Sequence, residues 1–241
     1  MRINPVIGWP ERRITIPFTI EQFFDVFEKY NTAIWPAQLV AYALGIAAIV
    51  LAIRDTAARG RLVSAILALS WALMGVFYHL VHFSRVNPAA RIFGALFIAQ
   101  GIVFVVFGCV LTKLRFRFVV KPIPIVGALL ILYAMALYPL IGRMFGHAYP
   151  RCPIFGIAPC PSTIFTFGIL LWASRRVPLY VVIIPFLWSL VSMSAAVNLH
   201  VPQDYGLGVA GILGTILLAI RNRKLKQQNQ PRLSGDDLKQ E

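Results

Sequence analysis

Residues 146–165 read GHAYPRCPIFGIAPCPSTIF and bring His147, Tyr149, Cys152, Cys160, Ser162 and Thr163 into one stretch that also holds four prolines. Imidazole and thiolate are ligands for zinc and copper. That makes His79, His147 and Cys160 candidate metal ligands, with His82 three residues beyond His79 and His200 further along. They come from separate segments and lack the tight spacing of a structural zinc motif, so hydrogen-bonded helix ends are the simpler expectation. Cys152 and Cys160 allow at most one disulfide with each other, chemistry that needs a compartment outside the cytoplasm. Asp204, in VPQDYG, is the only acidic residue between Asp55 and the C-terminal tail. It suits the cap of the following helix, or it holds a basic side chain or a substrate hydroxyl. Gln38, Gln100 and Gln203 complete the strongly polar candidates. No serine, cysteine or histidine lies in a P-loop, a dinucleotide fingerprint or an H-E-x-x-H pattern, so no catalytic residue and no cofactor is assigned.

These residues interrupt a chain that is otherwise apolar. Of its 241 residues 59% are hydrophobic and 13% are charged, against about 25% charged in an average soluble domain. Apolar runs fall at about 34–53, 62–83, 91–111, 122–143, 162–174, 178–198 and 205–220. Most have the length of a membrane-spanning helix. The expected fold class is an all-α polytopic membrane bundle of about seven transmembrane helices in contact with the lipid bilayer. It divides into an outer leader (1–33), a transmembrane domain (34–220) and a disordered cytoplasmic tail (221–241). The first run lies behind a polar, mixed-charge segment, which predicts a retained span rather than a cleaved signal peptide.

The net charge of +14 does not form one patch. Fifteen of the 23 basic residues, from Arg54 to Arg61, Lys113 to Lys121, Arg175 to Arg176 and Arg221 to Lys239, fall in alternate loops and the tail. The other eight fall on the opposite side, where the leader balances its basic and acidic residues. The positive-inside rule then puts the C-terminus in the cytoplasm and the N-terminus outside, and it argues against nucleic acid as a partner.

Within the leader, Thr19-Ile20-Glu21-Gln22 is a capping-box pattern. The helix that follows gathers Phe23, Phe24, Phe27 and Tyr30 on one side, the pattern of an interfacial anchor. The fifth run is too short. A helix begun at Ser162 and ended by Arg175-Arg176 covers roughly 18 Å of a hydrocarbon core about 30 Å thick. Pro159 and Pro161 are expected to keep IAPCPS irregular, so the segment is predicted to enter the membrane as a re-entrant-like loop lining a cavity.

All four histidines, both loop cysteines, Gln203 and Asp204 collect at the outer end under this topology, with Gln38 one turn inside and Gln100 deepest. Asp, Glu, Lys and Arg are absent from mid-membrane depth, where ion pathways usually show them. Three functions remain: a permease-like protein binding or transporting a small solute through an outward-opening polar cavity, an accessory or sensory subunit, and a membrane-embedded metal protein or enzyme. An oligomer is compatible with each.

The motifs YNTAIWPAQL (30–39), YHLVHF with NPAARIFGALF (78–97), GHAYP with FGIAPCPSTIFTFG (146–168) and VPQDYGL (201–207) resemble a bacterial family of multipass membrane proteins catalogued as a domain of unknown function (DUF6064-like) and sometimes loosely labelled permease. The resemblance implies a bacterial inner-membrane protein and brings no activity with it. It aligns His79, His147, Cys160, Gln203 and Asp204 with the family's pattern and leaves Cys152 and His82 outside it.

Overall fold

The structure is a computed structural model that describes residues 17–228; the first 16 residues of the leader and residues 229–241 of the tail lie outside the described part. The described chain folds as helices and turns, apart from one isolated antiparallel bridge between Phe116 and Ala173. Helix α1 (Ile20–Ala33) starts on the expected capping box, with Thr19 and Gln22 exchanging side chain-to-backbone hydrogen bonds. Helix α2 (Ala37–Ala52) follows at 88° to α1. The next elements are α3 (Ala57–Leu73), continued as a π-helix over Met74–His82, and α4 (Ala90–Phe104), continued over Val105–Val110. Then come α5 (Pro122–Leu132), a π segment over Tyr133–Leu137, and α6 (Tyr138–Met144). The chain ends with α7 (Pro159–Leu171), α8 (Tyr180–Leu199) and α9 (Tyr205–Gln228).

Among the described residues, five continuous helices are long and apolar enough to cross a membrane: Ala57–Arg85, Ala90–Val110, Pro122–Met144, Tyr180–Leu199 and Pro202–Gln227. The bent α1–α2 pair makes six if it counts as one span. Seven is therefore the number of apolar segments, while α7, at 13 residues, is too short to be a full span. The outside of the bundle is apolar as well, with Val50, Ile92, Ile102, Leu129, Leu140, Val209 and Ile216 all largely exposed. A water-facing surface would not carry so much contiguous apolar area, whereas lipid is its natural solvent.

Helix α7 shows the opposite pattern, because every one of its residues is buried. It is the central post around which the other helices stand. Its start corrects the sequence reading. The helix begins three residues before Ser162, with Ala158 as N-cap and Pro159 and Pro161 in the first turn. Proline is tolerated there because first-turn N–H groups have no intrahelical acceptor to lose. IAPCPS is thus only partly irregular; the irregular backbone is the turn-rich 145–158 segment, whose Phe155, Ile157 and Ala158 are buried.

Two glycine contacts let helices meet backbone to backbone. A Cβ on Gly168 would lie 2.8 Å from the carbonyl oxygen of Gly127 in α5, and one on Gly75 would lie 2.8 Å from that of Gly94 in α4. Without a hydrophobic drive between helices in lipid, such close approach is a main source of association.

The two ends of the bundle differ. At one end, Arg115 Nε donates to Asp55 at 2.6 Å and Ser174 Oγ donates to the same carboxylate at 2.5 Å. Arg221 donates to the carbonyls of Leu170, Leu171 and Arg175, closing the C-terminus of α7. Asn222 makes two bonds to the backbone of Val177. Helix α9 runs on past Arg221 and Asn222 to Gln228, so the first eight residues of the expected tail are helical. At the other end, α1 lies across the bundle. Its Phe23, Phe24, Phe27 and Tyr30 are buried against Tyr78, Phe83, Ile157 and Ala158, so the face read as a lipid anchor packs on protein.

Candidate functional site

The polar candidates gather at the end covered by α1, divided between an open cleft and a closed chamber. The cleft, about 640 Å³, lies between the start of α2 and the end of α6. Gln38, Tyr42, Arg143, His147, Tyr149 and Cys152 line it. Gln38 is buried; its Nε2 donates to the Asn31 carbonyl at 2.7 Å, and its Oε1 has no partner among the described residues. Asn31 in turn donates to the carbonyls of Pro150 and Cys152, which fixes the cleft wall to α1. Arg151 pairs with Asp25 at 2.7 Å, tying the same loop to the exposed side of α1. Burial pushes the Cys152 thiol up to about 11.

His147 stands between cleft and interior. Its Nδ1 lies 3.0 Å from Gln203 Nε2, from which a neutral ring accepts, and 3.4 Å from Gln203 Oε1, to which a protonated ring donates. The Phe24 ring stacks on it at 4.1 Å between centroids. Burial lowers its pKa, with the Gln203 bond opposing in part.

Gln203 and Asp204 sit in a 3₁₀ turn, Pro202–Asp204, at the head of α9. Two tyrosines hold this turn: Tyr133 OH donates to the Gln203 carbonyl at 2.8 Å, and Tyr138 OH donates to Asp204 Oδ1. In a regular α-helix a spacing of five puts two side chains about 140° apart. The π segment that starts at Tyr133 widens the turn and brings both hydroxyls to the same 3₁₀ turn. π turns often mark functional sites.

Asp204 also lines the chamber, an enclosed space of about 70 Å³ under α1. Cys160 and Ser192 share its polar side, with their Sγ and Oγ atoms 3.2 Å apart. Phe23, Tyr78, Phe93 and Trp188 supply aromatic walls.

The remaining predicted residues do not join either space as ligand groups. Ser162 Oγ donates to the Ala158 carbonyl and accepts from Gly156 N–H, and Thr163 Oγ1 donates to the Pro159 carbonyl. Both satisfy backbone at the start of α7. Gln100 Nε2 donates to the Val181 carbonyl, linking α4 to α8, with Oε1 unpartnered among the described residues. His79 is fully buried and boxed by Phe93, Phe97 and Trp188, and neither ring nitrogen has a partner among the described residues. His82 Nδ1 contacts the Phe77 carbonyl, and His200 is an exposed, left-handed C-cap of α8.

The single outward cavity expected from the sequence is therefore two spaces. Cys152 belongs to one and Cys160 to the other, and both are free thiols. Among the described residues no group of three or more His, Cys, Asp or Glu side chains is placed to hold a metal, so His79, His147 and Cys160 do not form the centre considered for them. The sequence reading missed Tyr138, Ser192, Tyr78, Trp188 and Arg143. Tyrosine hydroxyls inside apolar runs, five residues apart across a turn, were the available signal.

No curated protein and no solved structure matches the chain. The sequence pattern of one family does, over residues 20–229, and the chain belongs to it: DUF6064, a family of unknown function.

Proposed function

We propose that the protein is a permease-like component of a bacterial inner membrane that recognises a small solute at the end opposite its basic loops, with the N-terminus outside and the C-terminus in the cytoplasm. The observation that carries this reading is the cleft of about 640 Å³, open at the α1 end and lined by Gln38, Arg143, His147, Tyr149 and Cys152. It combines donors, acceptors and aromatic surface, the mixture that small-molecule sites use to orient a ligand. Gln38 keeps an acceptor without a partner among the described residues, and His147 links the cleft to the turn that carries Asp204 through the Gln203 side chain.

The reading is one of recognition more than of an open path. Below the site, the interior is filled by Trp71, Phe97, Phe104, Phe165 and Phe167, all buried. Passage of a polar solute requires these helices to move, as in alternating access.

The test uses a protein whose one cysteine is Cys152, with Cys109→Ser and Cys160→Ser. In intact cells an impermeant maleimide should label it from outside, more slowly than a cysteine placed at the exposed Ala148, because burial keeps the Cys152 thiol protonated. A strain lacking the protein should show a growth or toxicity phenotype that wild-type protein restores and Tyr149→Ala with Gln38→Ala does not. Labelling of Cys152 only after the membrane is opened would remove the outward cleft.

A further inference from the structure

We propose that the closed chamber behind the cleft is a binding site for a small organic cation of the guanidinium or methylammonium class, reached by displacement of α1. This rests on the reading of a solute-recognising outer end and names the chemistry of the solute.

Among the described residues the chamber has one carboxylate. Asp204 is 3% exposed, and none of the ion pairs among the described residues involves it. Tyr138 donates to Oδ1, a neutral hydrogen bond rather than a countercharge. An ionisable group buried in a membrane bundle without a charged partner is expensive and commonly marks a substrate or ion site. The other groups around it are also uncharged: Cys160 of α7, Ser192 of α8, Tyr78 of the π segment after α3, and Tyr133 and Tyr138 around the π segment before α6.

The walls suit a cation as well. Phe23 from α1 and Tyr78 form one side, and Phe93 of α4 meets Trp188 of α8 at 5.3 Å on the other. Aromatic rings around a carboxylate are the usual enclosure for ammonium-type ligands, which gain from the ring quadrupoles once desolvated. Ser192 and Cys160 supply acceptors for N–H groups. A space of about 70 Å³ takes a few non-hydrogen atoms and excludes larger amines.

The lid is α1. Phe18 and Phe23 close the chamber, and the sharp turn at residues 34–36 separates α1 from α2. Tyr30 OH to the Ile157 carbonyl and the Asn31 bonds hold it shut.

Guanidinium and urea are near-isosteric, one charged and one neutral, and serve as the probe pair at low-millimolar concentration. In a protein whose one cysteine is Cys160, guanidinium should slow alkylation of Cys160 several-fold and raise Tm, and urea should do neither. Asp204→Asn should abolish both effects. If that variant does not fold, Phe93→Leu takes its place and should weaken the guanidinium effect by roughly three- to tenfold. If Cys160 proves too enclosed to alkylate, the Tm comparison decides alone. Equal action of urea and guanidinium, or no response to either, overturns the cation site. Loss of Cys152 labelling from outside overturns the cleft instead, so the two failures are distinct.

Discussion

His147 joins the open cleft to the turn that carries Asp204 through the Gln203 side chain. Its Nδ1 lies 3.0 Å from Gln203 Nε2 and 3.4 Å from Gln203 Oε1, so the neutral ring accepts from the amide nitrogen and a protonated ring donates to the amide oxygen. Burial depresses its pKa, and the Gln203 bond offsets part of that. A folded-state pKa below the unfolded value means a contribution that is complete above the ordinary histidine value of about 6.5 and is lost as pH falls through the folded value. Wild-type protein should therefore lose Tm faster on going from neutral to mildly acidic pH than His147→Gln, which keeps a hydrogen-bonding side chain without titrating. Parallel pH profiles for the two proteins would show that burial of the His147 ring does not disfavour its charged form. Asp204 and Tyr138 add a further pairing that the sequence hid. Asp204 could be singled out because acids are so scarce in this chain, but nothing in a linear reading announces that Tyr138 reaches it across a π turn.

Hydropathy made the helices legible, and it did so unevenly. The capping box before α1 and the long apolar runs from α3 to α6 agree with the structure to within a few residues, except that α3 begins about five residues early. Two features resisted. Pro159 and Pro161 read as helix breakers, yet in a first turn they disrupt no bond, so α7 begins earlier than expected and the Ser162 hydroxyl bonds to its own backbone, at the edge of an apolar pocket between α2, α3 and α7. The aromatic face of α1 read as a lipid anchor because an isolated amphipathic helix cannot show whether protein or lipid covers it. The glycine contacts carry a prediction of their own. A Cβ at Gly168 would meet Ile131 Cγ1 at 2.7 Å and the Gly127 carbonyl at 2.8 Å, and the backbone atom cannot rotate away. Gly168→Ala should force α5 from α7 and destabilise the protein by about 1–3 kcal/mol, the range of overpacked cores. An unchanged Tm in detergent or nanodiscs would mean that the two helices are not in backbone contact.

At the scale of the whole molecule, charge and polarity are sorted to opposite ends. The Asp55–Arg115–Ser174 clasp and the Arg221 cap on α7 close the basic end, while the cleft, the chamber and α1 occupy the other. Burial raises the Asp55 pKa, but the bonds from Ser174 and Arg115 outweigh it and hold the carboxyl below its ordinary range, so the clasp stays ionised at physiological pH. Basic loops resist translocation, and those that carry Arg54, Arg59, Arg61, Lys113, Arg115, Arg117, Arg175 and Arg176 all lie at the clasp end. The cleft must then face outward if the charge rule governs insertion. Alkaline phosphatase fused after Asp204 in a bacterial host should be active, and the same reporter fused after Arg176 or Lys226 should be inactive. Activity at Lys226 with none at Asp204 would turn the molecule over, placing the cleft and the buried carboxylate on the cytoplasmic side. Equal activity at Thr19 and Lys226 would mean an even number of crossings, in which case the short, fully buried α7 enters and leaves by one face.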